Sequence, residues 1–436
     1  MTTRPNIVYL HSHDTGRHIA PHGVAVRTPN LQRLAEQGVL FRQAFCAAPT
    51  CSPSRAALLT GQCAHRAGML GLAHRGFRLA DPAKHLARQL ASHGYHTTLC
   101  GVQHEAHGQD VQSLGYARIE PTSNRQSGAT AAALLDTGKL RPPFFLSVGL
   151  FQTHREFPPP AATDPTTDPR YVGVPAYLPD TPAIRADVAA LNTMATSMDE
   201  QFGLVLDAIE RNGLADNTLV ICTTDHGIAF PNAKCTLRDS GIGVFLLLRG
   251  PGGFSDGKVV DALVSHLDVA PTVFDLLGIE SAPWFEGRSL RPLVAGEKPS
   301  IRDELFAEVT CHAAYEPQRC IRTDRWKYIR RFDRRDGPVL PNCDDSPTRS
   351  AMLDAGVFPR PAEESLFDLL ADPLERVNLA DDPRHATTKR ELVQRLDDWM
   401  RRTDDPLLGG SFVPPSGAVL NDPDQLSPRD PTTTVP

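Results

Sequence analysis

The chain has 436 residues, 41% hydrophobic and 22% charged, which is the balance of an ordinary folded protein with room for one large domain and a smaller companion. A formal net charge of -6 argues against a nucleic-acid partner, which needs a basic face, and no apolar run approaches a membrane span of about 20 residues. Nine scattered cysteines without a CxxC pair argue against a disulfide framework or a structural zinc cluster. With no signal-type apolar segment near the N-terminus, the expected setting is reduced and cytoplasmic.

In chain order, residues 6–11 (NIVYLH) read as a short buried strand running into Ser12, His13 and Asp14. Thr28 and Pro29 open a helix with Leu31, Leu34 and Ala35 on one face and Gly38 as its stop. Residues 39–45 are extended chain leading to Cys51. Residues 68–74 form a glycine-punctuated loop ending at His74, and 84–93 a helix. Strands follow at 95–101, running into His104, and at 144–150, running into His154. Residues 156–182, rich in Pro, Asp and Thr, read as a long surface excursion at an active-site rim. Residues 185–212 carry the strongest helical pattern, with Met194 and Met198 in its core face. A strand at 218–223 delivers Asp225 and His226, 244–248 is a buried strand, and 266–277 a helix with a proline near its middle.

Strand, polar cluster, helix, repeated in this way, argues an α/β fold: a large, mostly parallel sheet sandwiched by helices. Ligands of such sheets sit beyond the strand C-termini, and here several strands bring His or Asp to that edge. From about residue 300 the pattern turns antiparallel, with strands at 305–309, 319–323 and 326–332 and an amphipathic helix at 389–401. The expected division is a catalytic domain over 1–300, a C-terminal α+β subdomain with an antiparallel sheet over 301–405, and an irregular tail over 406–436.

The chain is organised around Cys51-Ser52-Pro53-Ser54-Arg55. Ser52 suits a helix N-cap and Pro53 the first helical position, which places Cys51 just before a helix N-terminus. Free N–H groups and the positive end of the dipole acidify a thiol there and favour an anion beside it, with Arg55 one turn on to fork onto oxyanion oxygens.

Followed by AALLTG, this string resembles the signature of type I sulfatases, with CSPSRAALLTG, GMLGL, LPDTPAIRADVAA and DLLADPLERVNLADDP leaning toward the heparan N-sulfatase branch. The resemblance implies a Cys51 oxidised to Cα-formylglycine by a maturating enzyme, its hydrated aldehyde acting as nucleophile and Arg55 holding it. It implies one divalent cation at His13, Asp14, Cys51, Asp225 and His226. It also implies contact of His104 with nucleophile or sulfate, His154 as general acid, and Lys234 binding sulfate. The substrate class it implies is a small anion, a sulfated saccharide carrying a sulfate ester or sulfamate.

Two departures stand out: His13 replaces an acidic residue, and Val102 replaces the lysine of a Gly-Lys-x-His pattern. Two imidazoles among the ligands favour Mn²⁺, Fe²⁺ or Zn²⁺ over Ca²⁺, which prefers oxygen. His74, His312 and Arg319 are expected at the substrate rim. A phosphonate monoester or phosphodiester hydrolase on the same scaffold, and a non-enzymatic binding protein with unmodified Cys51, are the competing readings.

Overall fold

The computed structural model describes residues 4–123, 125–162, 164–410 and 412–436. The first half of the chain supplies strands β1 (Asn6–Ser12), β2 (Val39–Phe41), β3 (Ala44–Phe45), β4 (His96–Gly101), β5 (Arg118–Glu120) and β6 (Phe144–Gly149). Then come β7 (Thr218–Thr224), β8 (Leu246–Arg249), β9 (Lys258–Val260) and β10 (Val264–Ser265). Eight of these form one sheet in the order β5-β4-β6-β1-β7-β8-β2-β9, in which β8 alone runs against the rest.

Both faces of this sheet are covered, as the strands' apolar runs require. Alternate residues of β1 face opposite cores: Ile7 and Tyr9 pack with Leu58 and Leu59 of the helix Cys51–Thr60 and with Val273 of the helix Val269–Leu276. Val8 and Leu10 pack with Met198, Phe202 and Leu206 of the helix Pro182–Arg211. That helix starts on a Thr181 side-chain cap with Pro182 in its first turn, and Met194 and Met198 are buried core residues. Pro271 lies in the first turn of Val269–Leu276, where its missing N–H costs no helical bond, so the helix is unbroken.

The later chain forms a four-stranded antiparallel sheet of β11 (Glu304–Cys311), β12 (Tyr315–Thr323), β13 (Trp326–Arg331) and β14 (Glu364–Asp368). The helix Ala386–Arg402 covers one face with Leu392, Leu396 and Trp399. Residues 406–436, expected to form an irregular tail, contain two three-residue strands. They include β15 (Val419–Asn421) paired antiparallel with β16 (Thr432–Thr434), held to the body by Asn421 N–H on Ala313 O and by Arg75 on Asn421 Oδ1 at 3.0 Å. Their Pro-rich composition hid this, because the anchoring partners lie far away in sequence.

Gly16 and Gly227 bring two loops into backbone contact just past the sheet's edge. Gly16 has φ +55° and donates its N–H to His226 O at 2.8 Å. A Cβ on Gly227 would sit 2.0 Å from the carbonyl oxygen of Ser240, which is backbone and cannot swing aside. Gly227→Ala is therefore expected to destabilise the protein by about 3 kcal/mol, as overpacking against fixed atoms does, read from the urea midpoint of the purified variant.

Candidate active site

The four adjacent parallel strands β4, β6, β1 and β7 end at one edge, so the residues that follow them converge there. His13 and Asp14 follow β1, Asp225 and His226 follow β7, His104 comes after β4, and His154 after β6. Asp14 has φ +43°, a left-handed turn stabilised because its N–H donates to Asp225 Oδ1 at 2.8 Å.

The helix bearing Cys51 is pinned to this edge from the side. Its first residue is Cys51 itself, after Thr50 in an extended conformation. Ser52 is not the cap expected of it: its Oγ accepts from Ala73 N–H at 3.0 Å, while Ser54 Oγ donates to Asp225 O at 2.5 Å. Both hydroxyls thus serve tertiary contacts, a competition that local spacing does not reveal.

Side-chain ligand atoms of His13, Asp14, Cys51 and Asp225 all lie within 4.8 Å of one another, and all four residues are buried. His226 Nε2 joins them at 3.4 Å from Cys51 Sγ and 3.3 Å from Asp14 Oδ1. His13 Nδ1 lies 3.1 Å from Asp225 Oδ2. His13 Nε2 is buried without a hydrogen-bond partner, and the close contacts of His13 Nδ1 and Asp14 Oδ1 are not aligned as hydrogen bonds. Buried polar atoms are almost always satisfied, so orphaned donors of this type, clustered with a second carboxylate, fit a divalent cation.

Arg55 is not aimed at open pocket as expected. Its fork is spent on the scaffold: Nη2 reaches Asp225 Oδ2 at 2.9 Å and Ser12 O at 2.8 Å, and Nη1 lies 2.5 Å from His11 Nδ1. Lys234 bridges Asp14 Oδ2 and Asp344 Oδ2, each at 3.0 Å. His154 donates Nδ1–H to Arg155 O at 2.5 Å, leaving Nε2 as its free nitrogen, and its ring lies 5.1 Å from that of His13. His104 Nε2 is 2.8 Å from Nδ1 of exposed His74, and the two rings stack.

His312 is buried, with burial, and Lys234 after it, pushing its pKa down to about 3. Arg319 is misplaced by the sequence reading. It is fully buried in the antiparallel sheet, paired with Asp405 at 2.5 Å and Glu308 at 3.4 Å, and cannot line a rim. A buried arginine needs such carboxylates, and Asp405 lies 86 residues further on, out of reach of pattern reading. The sequence reading also missed His11 and Asp344, one inside a strand and the other in a loop with no motif.

Burial alone would push the Cys51 thiol up, but Lys234 and the imidazoles of His104, His13 and His226 outweigh it and hold it well below the ordinary value. Burial likewise opposes the Asp225 carboxylate, and His226, Arg55 and His13 overcome it and hold it well below the usual carboxylate range.

A family model described as Sulfatase matches residues 5–279, and one described as N-sulphoglucosamine sulphohydrolase, C-terminal, matches residues 232–351. The chain belongs to the sulfatase family. This sulfatase is 31% identical to human N-sulphoglucosamine sulphohydrolase, an alignment covering 88% of this chain and 87% of that one. Its fold matches that of a solved 2-O GAG sulfatase with a TM-score of 0.72 at 22% identity, over 94% and 95% of the two chains. It also matches the phosphonate monoester hydrolase of Agrobacterium radiobacter, with a TM-score of 0.68 at 21% identity over 92% and 96%. The sulfatase has no helix among the described residues long and apolar enough to cross a membrane.

Asp225→Ala in this sulfatase leaves the Arg55 guanidinium buried without its carboxylate. Breaking such a pair on one side is expected to cost about 3 kcal/mol. Urea unfolding in the presence of a chelator reads that loss separately from any loss of bound metal.

Proposed function

We propose that the chain hydrolyses a sulfate ester or sulfamate on a sulfated sugar, with Cys51 converted to Cα-formylglycine and one divalent cation held by His13, Asp14, position 51, Asp225 and His226. One observation carries this reading: the Cys51 side chain stands at a helix start inside a buried set of metal-type ligands. Support for a sugar substrate comes from the relation to N-sulphoglucosamine sulphohydrolase, which extends over most of both chains. The nine cysteines, all unpaired, support a reducing, cytoplasmic setting, and the oxidation of Cys51 implies a formylglycine-generating or sulfatase-maturating enzyme as partner.

When present, formylglycine supplies a hydrated aldehyde as nucleophile, and the cation supplies Lewis acidity toward a sulfate oxygen. The chain's own residues do the rest. Arg55 fixes Asp225, Ser12 and the helix start as one unit, so it is a positioning residue that sets where position 51 stands. Lys234, held between Asp14 and Asp344, keeps its proton well above the ordinary lysine value because these carboxylates outweigh the cost of burial. It thereby offers a fixed positive charge to a sulfate oxygen. His154, oriented through its Nδ1–H on Arg155 O, turns Nε2 toward the leaving oxygen or nitrogen; to act as general acid it first takes up a second proton there, against the burial that lowers its pKa, and then passes that proton on. His104, braced by His74, accepts a proton as sulfate departs. His74 and His312 are substrate-side residues of this pocket.

Two imidazoles beside two carboxylates favour Mn²⁺, Fe²⁺ or Zn²⁺ over Ca²⁺. Chelator is expected to abolish hydrolysis of an aryl sulfate, with recovery on adding one of these three ions and not on adding Ca²⁺. Recovery with Ca²⁺ alone would overturn the metal assignment.

Mass analysis of the peptide spanning residues 43–55, taken from protein made in the native host, is expected to show a lighter species that resists thiol alkylation. An alkylatable Cys51 in fully active protein sinks the formylglycine reading. Aryl sulfate, sulfamate and aryl phosphonate assayed side by side are expected to rank sulfate or sulfamate first. A dominant phosphonate activity returns the chain to the competing hydrolase class.

A further inference from the structure

Beside the catalytic loops lies a second opening of about 1100 Å³, and none of the proposed catalytic or metal residues lines it. Its floor includes Gly16, Ile228 and Asn232, each two residues from Asp14, His226 and Lys234 respectively. Its walls come from the loop around Tyr177 and from the segment that runs from Val357 to Arg376.

The charge of this cleft is opposite to that of the whole chain. Arg17, Arg238, Arg360 and Arg376 all line it. Three of them hydrogen-bond only backbone carbonyls among the described residues: Arg17 to Ala44 O at 3.0 Å, Arg238 to Glu375 O at 2.5 Å, and Arg376 to Ala176 O at 2.9 Å. Arg17 Nε is buried with no partner. The carboxylates in the lining are largely paired, one of them with Arg322, a fifth arginine of the lining. Asp239 pairs with Arg322 and Lys327 at 3.0 and 2.5 Å, and Glu375 pairs with Lys327 at 2.8 Å. Four guanidiniums thus face the opening against one exposed, unpaired carboxylate, Asp324, in a protein whose net charge is -6.

The lining also carries exposed apolar side chains. Leu370 is 77% and Val357 51% accessible, and Tyr177 stands beside them. Apolar faces and guanidiniums sharing one cleft suit a chain of sugar rings bearing acidic groups. The rings lie on the apolar side chains, and the planar forks take sulfate or carboxylate two oxygens at a time. The volume exceeds what a single sugar unit fills, so several units fit.

We propose that this cleft is a second binding site, for the acidic groups of a sulfated oligosaccharide, separate from the pocket at Cys51. The choice of a sulfated sugar as ligand rests on the hydrolase reading above; the choice of a polyanion rests on the cleft alone.

The test uses the full chain carrying Cys51→Ala, so that nothing is turned over, and a fluorescein-labelled heparin hexasaccharide followed by anisotropy. Adding Arg360→Ala and Arg376→Ala, both exposed side chains, is expected to weaken binding about tenfold and to flatten its dependence on salt. In the protein with Cys51 intact, the same double substitution is expected to leave turnover of a small aryl sulfate unchanged. Unchanged hexasaccharide affinity overturns the site. Equally tight binding of a DNA duplex of matched charge, lost equally on substitution, overturns the sugar assignment. Because the binding arm needs no turnover, a chain that hydrolyses no sulfate yet loses the hexasaccharide on substitution defeats the hydrolase reading and leaves the cleft standing.

Discussion

The structure depends on how one buried carboxylate, that of Asp225, is satisfied. Its Oδ1 accepts the N–H groups of Asp14 and His226 at 2.8 and 2.9 Å, and its Oδ2 takes Arg55 at 2.9 Å. A buried charge is tolerated only when it is paired and hydrogen-bonded. Meeting that demand ties the end of β1, the end of β7 and the helix starting at Cys51 into one arrangement. Arg55 extends it to Ser12 O and His11, and Lys234 extends it from Asp14 to Asp344. Position 51 is therefore set by electrostatic bookkeeping among side chains that never leave the interior, and the sheet order β4-β6-β1-β7 is what lets the chain meet those terms.

Much of this was legible in the sequence because sheet-edge residues advertise themselves. A run such as NIVYLH followed by Ser-His-Asp has a hydrophobic pattern that fixes the strand and a polar break that fixes its end. The same grammar located Asp225, His226, His104 and His154. What escaped was pairing across long separations. Arg319 has the look of a rim residue in HAAYEPQR, but its partners Glu308 and Asp405 come from a neighbouring strand and from beyond the last long helix. Ser52 has the look of a cap until Ala73 claims its oxygen. Asp344 carries no motif at all, and it matters only because the loop at 226–234 turns Lys234 toward it. The two short strands within 406–436 escape for the same reason: composition says nothing about a docking site some hundred residues earlier.

The loops that carry the ligands also form the floor of the basic cleft. Gly16 and Gly227 let the two backbones touch, and Ile228 and Asn232 follow directly. Only glycine permits that approach, because a Cβ at either place meets main-chain atoms. One pair of loops thus separates two openings of different character. One holds a tight, buried cluster of carboxylates, imidazoles and their counter-charges, and the other is a broad surface lined by arginines.

The departures at His13 and Val102 both change the charge around position 51. The resemblance sets an acidic residue at the first position and a lysine at the second, an anion and a cation that offset one another in the same pocket. Here both are gone. An imidazole at 13 stands where the resemblance sets a carboxylate, and valine at 102 stands where it sets an ammonium; against the opposing burial, Asp225 and Asp14 hold the pKa of the His13 imidazole up, at about 10. In the hydrolase proposed above, a sulfate oxygen has one cationic neighbour fewer than the resemblance implies. Lys234 is the side chain in position to take over. It is buried, its pKa stands well above the ordinary value, and two carboxylates keep it from wandering. A fixed ammonium costs no reorganisation when charge develops beside it, whereas a flexible surface lysine would. Asp344, invisible to motif reading, is one of the two carboxylates that hold this ammonium in place.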